Sequence, residues 1–76
     1  MRVIRTVHFR REQEADAITE DEIVRAWTQP ELDRPSQDYP DARVRTATQP
    51  NGSRVTVVAR QTPDALVLIT TWREPA

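Results

Sequence analysis

Seventy-six residues without a cysteine make one domain with a thin core and exclude disulfides as reinforcement; chains of this size bury only about 60% of their unfolded surface. A charged fraction of 30% that nearly cancels, to a net charge of −1, argues against disorder. No apolar run approaches the roughly 18 residues needed to cross a bilayer and no signal-peptide pattern opens the chain, so a cytoplasmic protein with no membrane partner is expected.

In chain order, Val3 and Ile4 suggest a short strand or extended lead-in, followed by a helix over residues 7–15 with Thr6 as its cap. The stretch "ITEDEIVRAW" predicts a second helix over 20–28. Thr19 and Glu22 form a capping box, Ile18 and Ile23 a hydrophobic staple, and three acids fill the first turn, where the helix dipole favours them. Pro30 stops it. Residues 29–41 hold three prolines and read as a surface loop. Strands are expected at 43–49, 54–61 and 65–72, the last apolar enough on both faces to be the central one. The resulting expectation is a single α+β domain, residues 1–76, in two layers. One or two N-terminal helices (about 1–30) pack on an antiparallel β-meander of three to four strands (42–73).

The charge is uneven. Residues 1–11 carry +4, residues 12–41 carry −8 and residues 42–76 carry +3, and all eleven basic residues are arginine. Asn51-Gly52 is the strongest short hairpin signal and favours a two-residue type I′ turn. That turn sets Arg43 opposite Arg60, Arg45 opposite Val58 and Gln49 opposite Arg54. Side chains alternate along a strand, so Arg43, Arg45, Arg54 and Arg60 then share one face. Such a face follows a nucleic-acid backbone, with Tyr39 and Trp72 available for base stacking. Two other uses stay open: Glu31, Asp33, Asp38 and Asp41 of the loop fold over and neutralise it, or it binds an acidic protein.

Other chemistry has little foothold. One histidine and no cysteine offer no zinc constellation, and a single glycine allows no phosphate loop or dinucleotide fingerprint, so neither metal nor cofactor is expected. Glu12, Glu14 and Asp16 form a solvated helix face. His8 is the one side chain that ordinarily titrates near neutrality.

His8-Phe9, Ile18 ten residues after His8, "TEDEIVRAW" with Pro30, and the paired "RVTVVAR" and "LVLITTW" resemble a family of small bacterial proteins allied to BrnT and the RelE/ParE-type toxins. The pattern's two helix arginines are Glu12 and Asp16 here, with Arg10 and Arg11 nearby, and its glycine is Ala17. The pI of 5.7 is low for RelE-like endoribonucleases, which tend to be strongly basic. The resemblance implies metal-free RNA cleavage by a toxin-type domain that an antitoxin neutralises. The RNA 2′-hydroxyl attacks the adjacent phosphate, leaving a cyclic phosphate or 3′-phosphate and a 5′-hydroxyl end. A base, an acid and cations for the phosphorane charge are needed. The implied roles are acid–base chemistry for His8 and charge stabilisation for Arg45 and Arg54. Thr70 holds a phosphate oxygen, and Arg43, Arg60, Arg10, Arg11 and Trp72 bind RNA. The alternative is a non-catalytic protein-binding module, an inhibitor or accessory protein on the same fold.

Overall fold

The computed structural model describes residues 2–75. Strand β1 (Arg2–Arg5) leads into helices α1 (Val7–Ala15) and α2 (Glu20–Thr28). Strands β2 (Leu32–Pro35), β3 (Arg43–Thr48), β4 (Arg54–Gln61) and β5 (Ala65–Glu74) follow. Both helices begin where side chains can satisfy their first free amides. The Thr6 hydroxyl accepts from Phe9 N at 3.0 Å. At α2 the box is reciprocal, with Thr19 N donating to Glu22 Oε1 at 2.9 Å and Glu22 N to Thr19 Oγ1 at 3.2 Å. Ile18 and Ile23, on either side of the cap, are buried in one cluster, as a staple requires.

Helix α1 ends in a Schellman motif: Ile18 N donates to Gln13 O and Ala17 N to Glu14 O. This closure puts Ala17 in the left-handed region at φ 50°. It is the position where the pattern noted above carries glycine. A Cβ there costs about 1 kcal/mol or more, partly recovered from the smaller entropy of the unfolded chain. Ala17→Gly is therefore expected to stabilise the fold by about 0.5–1 kcal/mol in urea unfolding, and a destabilised variant would show that the cap is formed differently.

The sheet departs from the expected antiparallel meander. It is a five-stranded mixed sheet in the order β1-β5-β4-β3-β2, with β1 parallel to β5 and every other pair antiparallel. The first segment is the short strand of the two alternatives, and it forms an edge through parallel pairing with residues at the far end of the chain, a contact for which local sequence carries no signal. The stretch expected to be only loop contains β2, the opposite edge. Its proline is tolerated there for a geometric reason. Ser36 N donates to Ala42 O, so the alternating ladder turns residue 35 toward solvent, where Pro35 removes no hydrogen bond. β4, not β5, occupies the centre.

The β3–β4 hairpin is slipped by one residue from the expected register. Arg43 faces Ala59, Arg45 faces Val57 and Thr48 faces Arg54. Pro50 is the cause. A two-residue turn at Asn51-Gly52 would make Pro50 a ladder residue, and proline has no N–H to give. Instead Gly52 N donates to Gln49 O and Gln49 N to Ser53 O, each at 2.8 Å, closing a three-residue loop. Pro50 takes the position its fixed φ suits, and Gly52 supplies the positive φ of 88° that closes the loop.

One face of the sheet is covered. Phe9, Ile23 and Ala26 from the helices and Ile18 from the link between them pack on Ala47, Val55, Val57, Ala59 and Leu68. A smaller cluster of Ala42, Val44 and Val58, with Ile69 and Trp72 against it, lies on the other face. Ile69 is the extra residue of a bulge opposite Val58/Ala59, and its carbonyl accepts from the Thr6 hydroxyl at 3.0 Å. Among the described residues no helix is long and apolar enough to cross a membrane.

Candidate nucleic-acid interface

The slipped register decides where the arginines go. Arg43 and Arg45 share the parity of core residue Ala47 and stand on the helix-covered side; Arg54 and Arg60 stand on the open side. The expected single face of four arginines is therefore divided two and two.

On the covered side, each of the four sheet arginines has a partner. Arg43 Nε donates to Asp33 Oδ1 at 2.9 Å. Arg45 lies over the Trp27 ring, 4.0 Å from its centroid, and donates to the Trp27 carbonyl at 2.8 Å. Its Nε is 3.2 Å from Asp33 Oδ2, an ion pair without the alignment of a hydrogen bond. Asp33 thus neutralises this half of the arginine set, one of the alternatives the sequence left open. Arg73 is clasped by Glu22 through both oxygens at 2.7 Å, and Arg5 pairs with Glu20.

The open side is different. Arg34, Arg54 and Arg60 make no hydrogen bond or ion pair among the described residues. Arg34, exposed on edge strand β2 opposite Val44, joins the set because the expected loop is a strand there, paired with β3. Beside Arg34 and Arg54 sits partly buried Trp72, packed against the cluster of Ala42, Val44 and Val58. Its Nε1 is 3.5 Å from Glu74 Oε1. Thr46 and Thr56 share a 2.8 Å hydroxyl contact in the floor beneath it. Thr70 and Tyr39 stand on its other flank.

Two grooves, each of about 150 Å³, result. One is lined by Leu32, Arg34, Thr46, Arg54, Trp72 and Glu74. The other is lined by Arg34, Asp38, Tyr39, Val58, Thr70 and Trp72. Three acids temper the arginines. Glu74 pairs in register with Arg54, Asp38 lines the second groove, and Glu31 lies beside Arg54 with its carboxylate on the Thr48 amide at 2.7 Å. That Thr48 contact, first through its hydroxyl and then its amide, holds the Glu31 carboxyl below the usual range.

Of the residues singled out from sequence, Arg54, Tyr39, Thr70 and Trp72 border these grooves, whereas Arg60 is on the same face farther along β4, opposite Val67 and outside both. Arg43 and Arg45 are spent on Asp33 and Trp27. His8, Arg10 and Arg11 are exposed on α1, in the helical layer. The open face consequently holds no imidazole. A family model described as a domain of unknown function (DUF4258) matches residues 6–73. No curated protein and no solved structure matches the chain.

Proposed function

The chain belongs to the DUF4258 family, and from that footing we propose that it is a domain of toxin type acting on RNA, with the open sheet face as the surface that holds a single-stranded segment. One observation carries this reading: the sheet arginines of the covered side, Arg5, Arg43, Arg45 and Arg73, are all engaged, whereas Arg34 and Arg54, beside the Trp72 ring, make no hydrogen bond or ion pair among the described residues. Unpaired arginines meet phosphates and an aromatic platform stacks unpaired bases. The glycine position of the RelE/BrnT-like pattern, occupied by Ala17 in a left-handed cap, supports the resemblance from a second direction.

The reaction this implies is attack of an RNA 2′-hydroxyl on its neighbouring phosphate, which forms the cyclic phosphate and breaks the bond to the 5′-oxygen. Arg54 stands against the phosphorane charge, the Glu74 carboxylate of the same groove takes the 2′-hydroxyl proton, and water protonates the leaving 5′-oxygen. Thr70, across Trp72, holds a neighbouring phosphate. His8 stands in the other layer, so the chemistry belongs to the open face and proceeds without the imidazole. An antitoxin or other small protein would hold the domain in check. The second reading, a non-catalytic protein-binding module, is favoured by a separate feature. An apolar groove of about 210 Å³ runs between β1 and α2, lined by Val3, Ile23, Val24, Trp27, Leu66 and Leu68.

Fluorescence anisotropy with labelled single-stranded RNA and the same sequence as duplex tests the binding. Preference for the single strand is expected, with log K falling against log[salt] at a slope of about −1.4 to −2.1 for two or three phosphates. Induced expression tests the chemistry: growth arrest relieved by Arg54→Ala but not by His8→Ala supports cleavage on the open face. Relief by His8→Ala would move the chemistry to the helical layer. Harmless expression and absence of RNA binding would leave the protein-binding reading.

A further inference from the structure

Resting on the RNA reading, we propose that the open face is built for a two-nucleotide step of single-stranded RNA that straddles Trp72. One base enters the Arg54/Glu74 groove, the next lies between Trp72 and Tyr39, and Arg34 holds the phosphate joining them.

The two grooves share a wall. Trp72 and Arg34 line both, Arg54 and Glu74 belong only to the first, and Tyr39 and Thr70 only to the second. The equal size of about 150 Å³ on either side of one ring gives two places for flat groups rather than a continuous channel. The acids indicate which part of a nucleotide each place takes. Glu74 in one groove and Asp38 in the other repel a phosphate, yet accept hydrogen bonds from the amino and imino groups on base edges. Bases therefore occupy the grooves. The phosphate between them passes over the rim at Arg34, exposed, without a hydrogen bond or ion pair among the described residues, and common to both.

The surfaces match in character as well. In the first groove Leu32 offers apolar contact over the satisfied Thr46–Thr56 hydroxyl pair, with Glu74 as acceptor for the base and Arg54 beside it for the phosphate that flanks that base. In the second, the Tyr39 and Trp72 rings line one cavity, which permits a base to be gripped by aromatic groups. Trp72 is set by packing on the cluster of Ala42, Val44 and Val58 and by its contact with Glu74, so the dividing wall is fixed before a ligand arrives.

Trp27→Phe leaves Trp72 as the sole tryptophan and makes its fluorescence a direct probe. In that background, titration with dinucleoside monophosphates, mononucleotides and an RNA hexamer is the test. The dinucleoside monophosphate is expected to quench Trp72 and bind at least tenfold tighter than a mononucleotide. Tyr39→Ala should weaken it about tenfold, with Tyr39→Phe near wild type. Arg34→Gln should weaken the dinucleotide while leaving free-nucleoside binding unchanged. Equal binding of one and two nucleotides, or indifference to Tyr39 and Arg34 while the hexamer still binds, overturns this arrangement alone. Failure of the hexamer to bind overturns the RNA reading beneath it.

Discussion

Glu22→Gln is expected to lower the unfolding free energy by about 3 kcal/mol, because it breaks a nearly buried clasp on which four parts of the fold converge. The Glu22 and Arg73 side chains are only 13% and 19% exposed. Arg73 also donates to the carbonyls of Asp16 and Ala17 and to Ser53 Oγ, while its amide donates to Asp16 Oδ2. The end of β5, the close of the β3–β4 loop, the C-cap of α1 and the N-cap of α2 are thereby joined. Glutamine still completes a capping box, so the loss reports on the clasp: a guanidinium left without its countercharge in a sparsely hydrated place.

The same clasp predicts a pH dependence. The hydrogen bond from Arg73 is the largest cause holding the Glu22 carboxyl at about 2, against an ordinary 4.5; burial opposes it, and the Thr19 amide and the Arg73 charge assist. A carboxyl depressed in the folded state contributes stability above its unfolded pKa and loses it as pH falls toward the folded value. The contribution is complete above about pH 5 and fades between about 4.5 and 2, up to about 3 kcal/mol in all. Urea unfolding through this range should fall steeply for wild type and more gently for Glu22→Gln. Parallel curves would show that the clasp does not govern acid stability.

Trp72→Ala has the largest expected effect on function, a loss of tenfold or more in affinity for single-stranded RNA, since stacking on one aromatic ring is worth about 1–3 kcal/mol per base. Removing the ring also uncovers Val44 and Val58, so Trp72→Leu, which keeps apolar cover without a π face, is the companion variant. Both should lose affinity with no change in salt slope, because neither removes a charge. Arg54→Gln should behave oppositely, with a loss of only a few-fold and a slope shallower by about 0.7. If Trp72→Leu binds RNA as wild type does, the indole is packing and not a platform.

What sequence made legible was local. Thr6, Thr19 and Glu22 define both helix starts through bonds spanning three residues, and the helices lie where those caps place them. The hairpin was legible as a hairpin, but Asn51-Gly52 outweighed Pro50 in the expectation. A single missing N–H moved the register by one and sent Arg43 and Arg45 to the other side of the sheet. The parallel pairing of β1 with β5 joins Arg2 to Ala65, a separation across which no periodicity carries information. The candidate site inherits both lessons. Arg54, Thr70 and Trp72 were visible because they sit on well-marked strands. Arg34 was hidden in a proline-rich stretch whose strand exists only through its pairing with β3.

The central claim, that RNA lies on the open sheet face, is most directly tested by titrating single-stranded RNA into isotopically labelled protein and following backbone and indole NMR signals. Shifts should concentrate at Arg34, Tyr39, Arg54, Thr56, Thr70 and the Trp72 indole, leaving His8, Arg10 and Arg11 on α1 unmoved. Shifts confined to α1, or none at RNA excess, would contradict it.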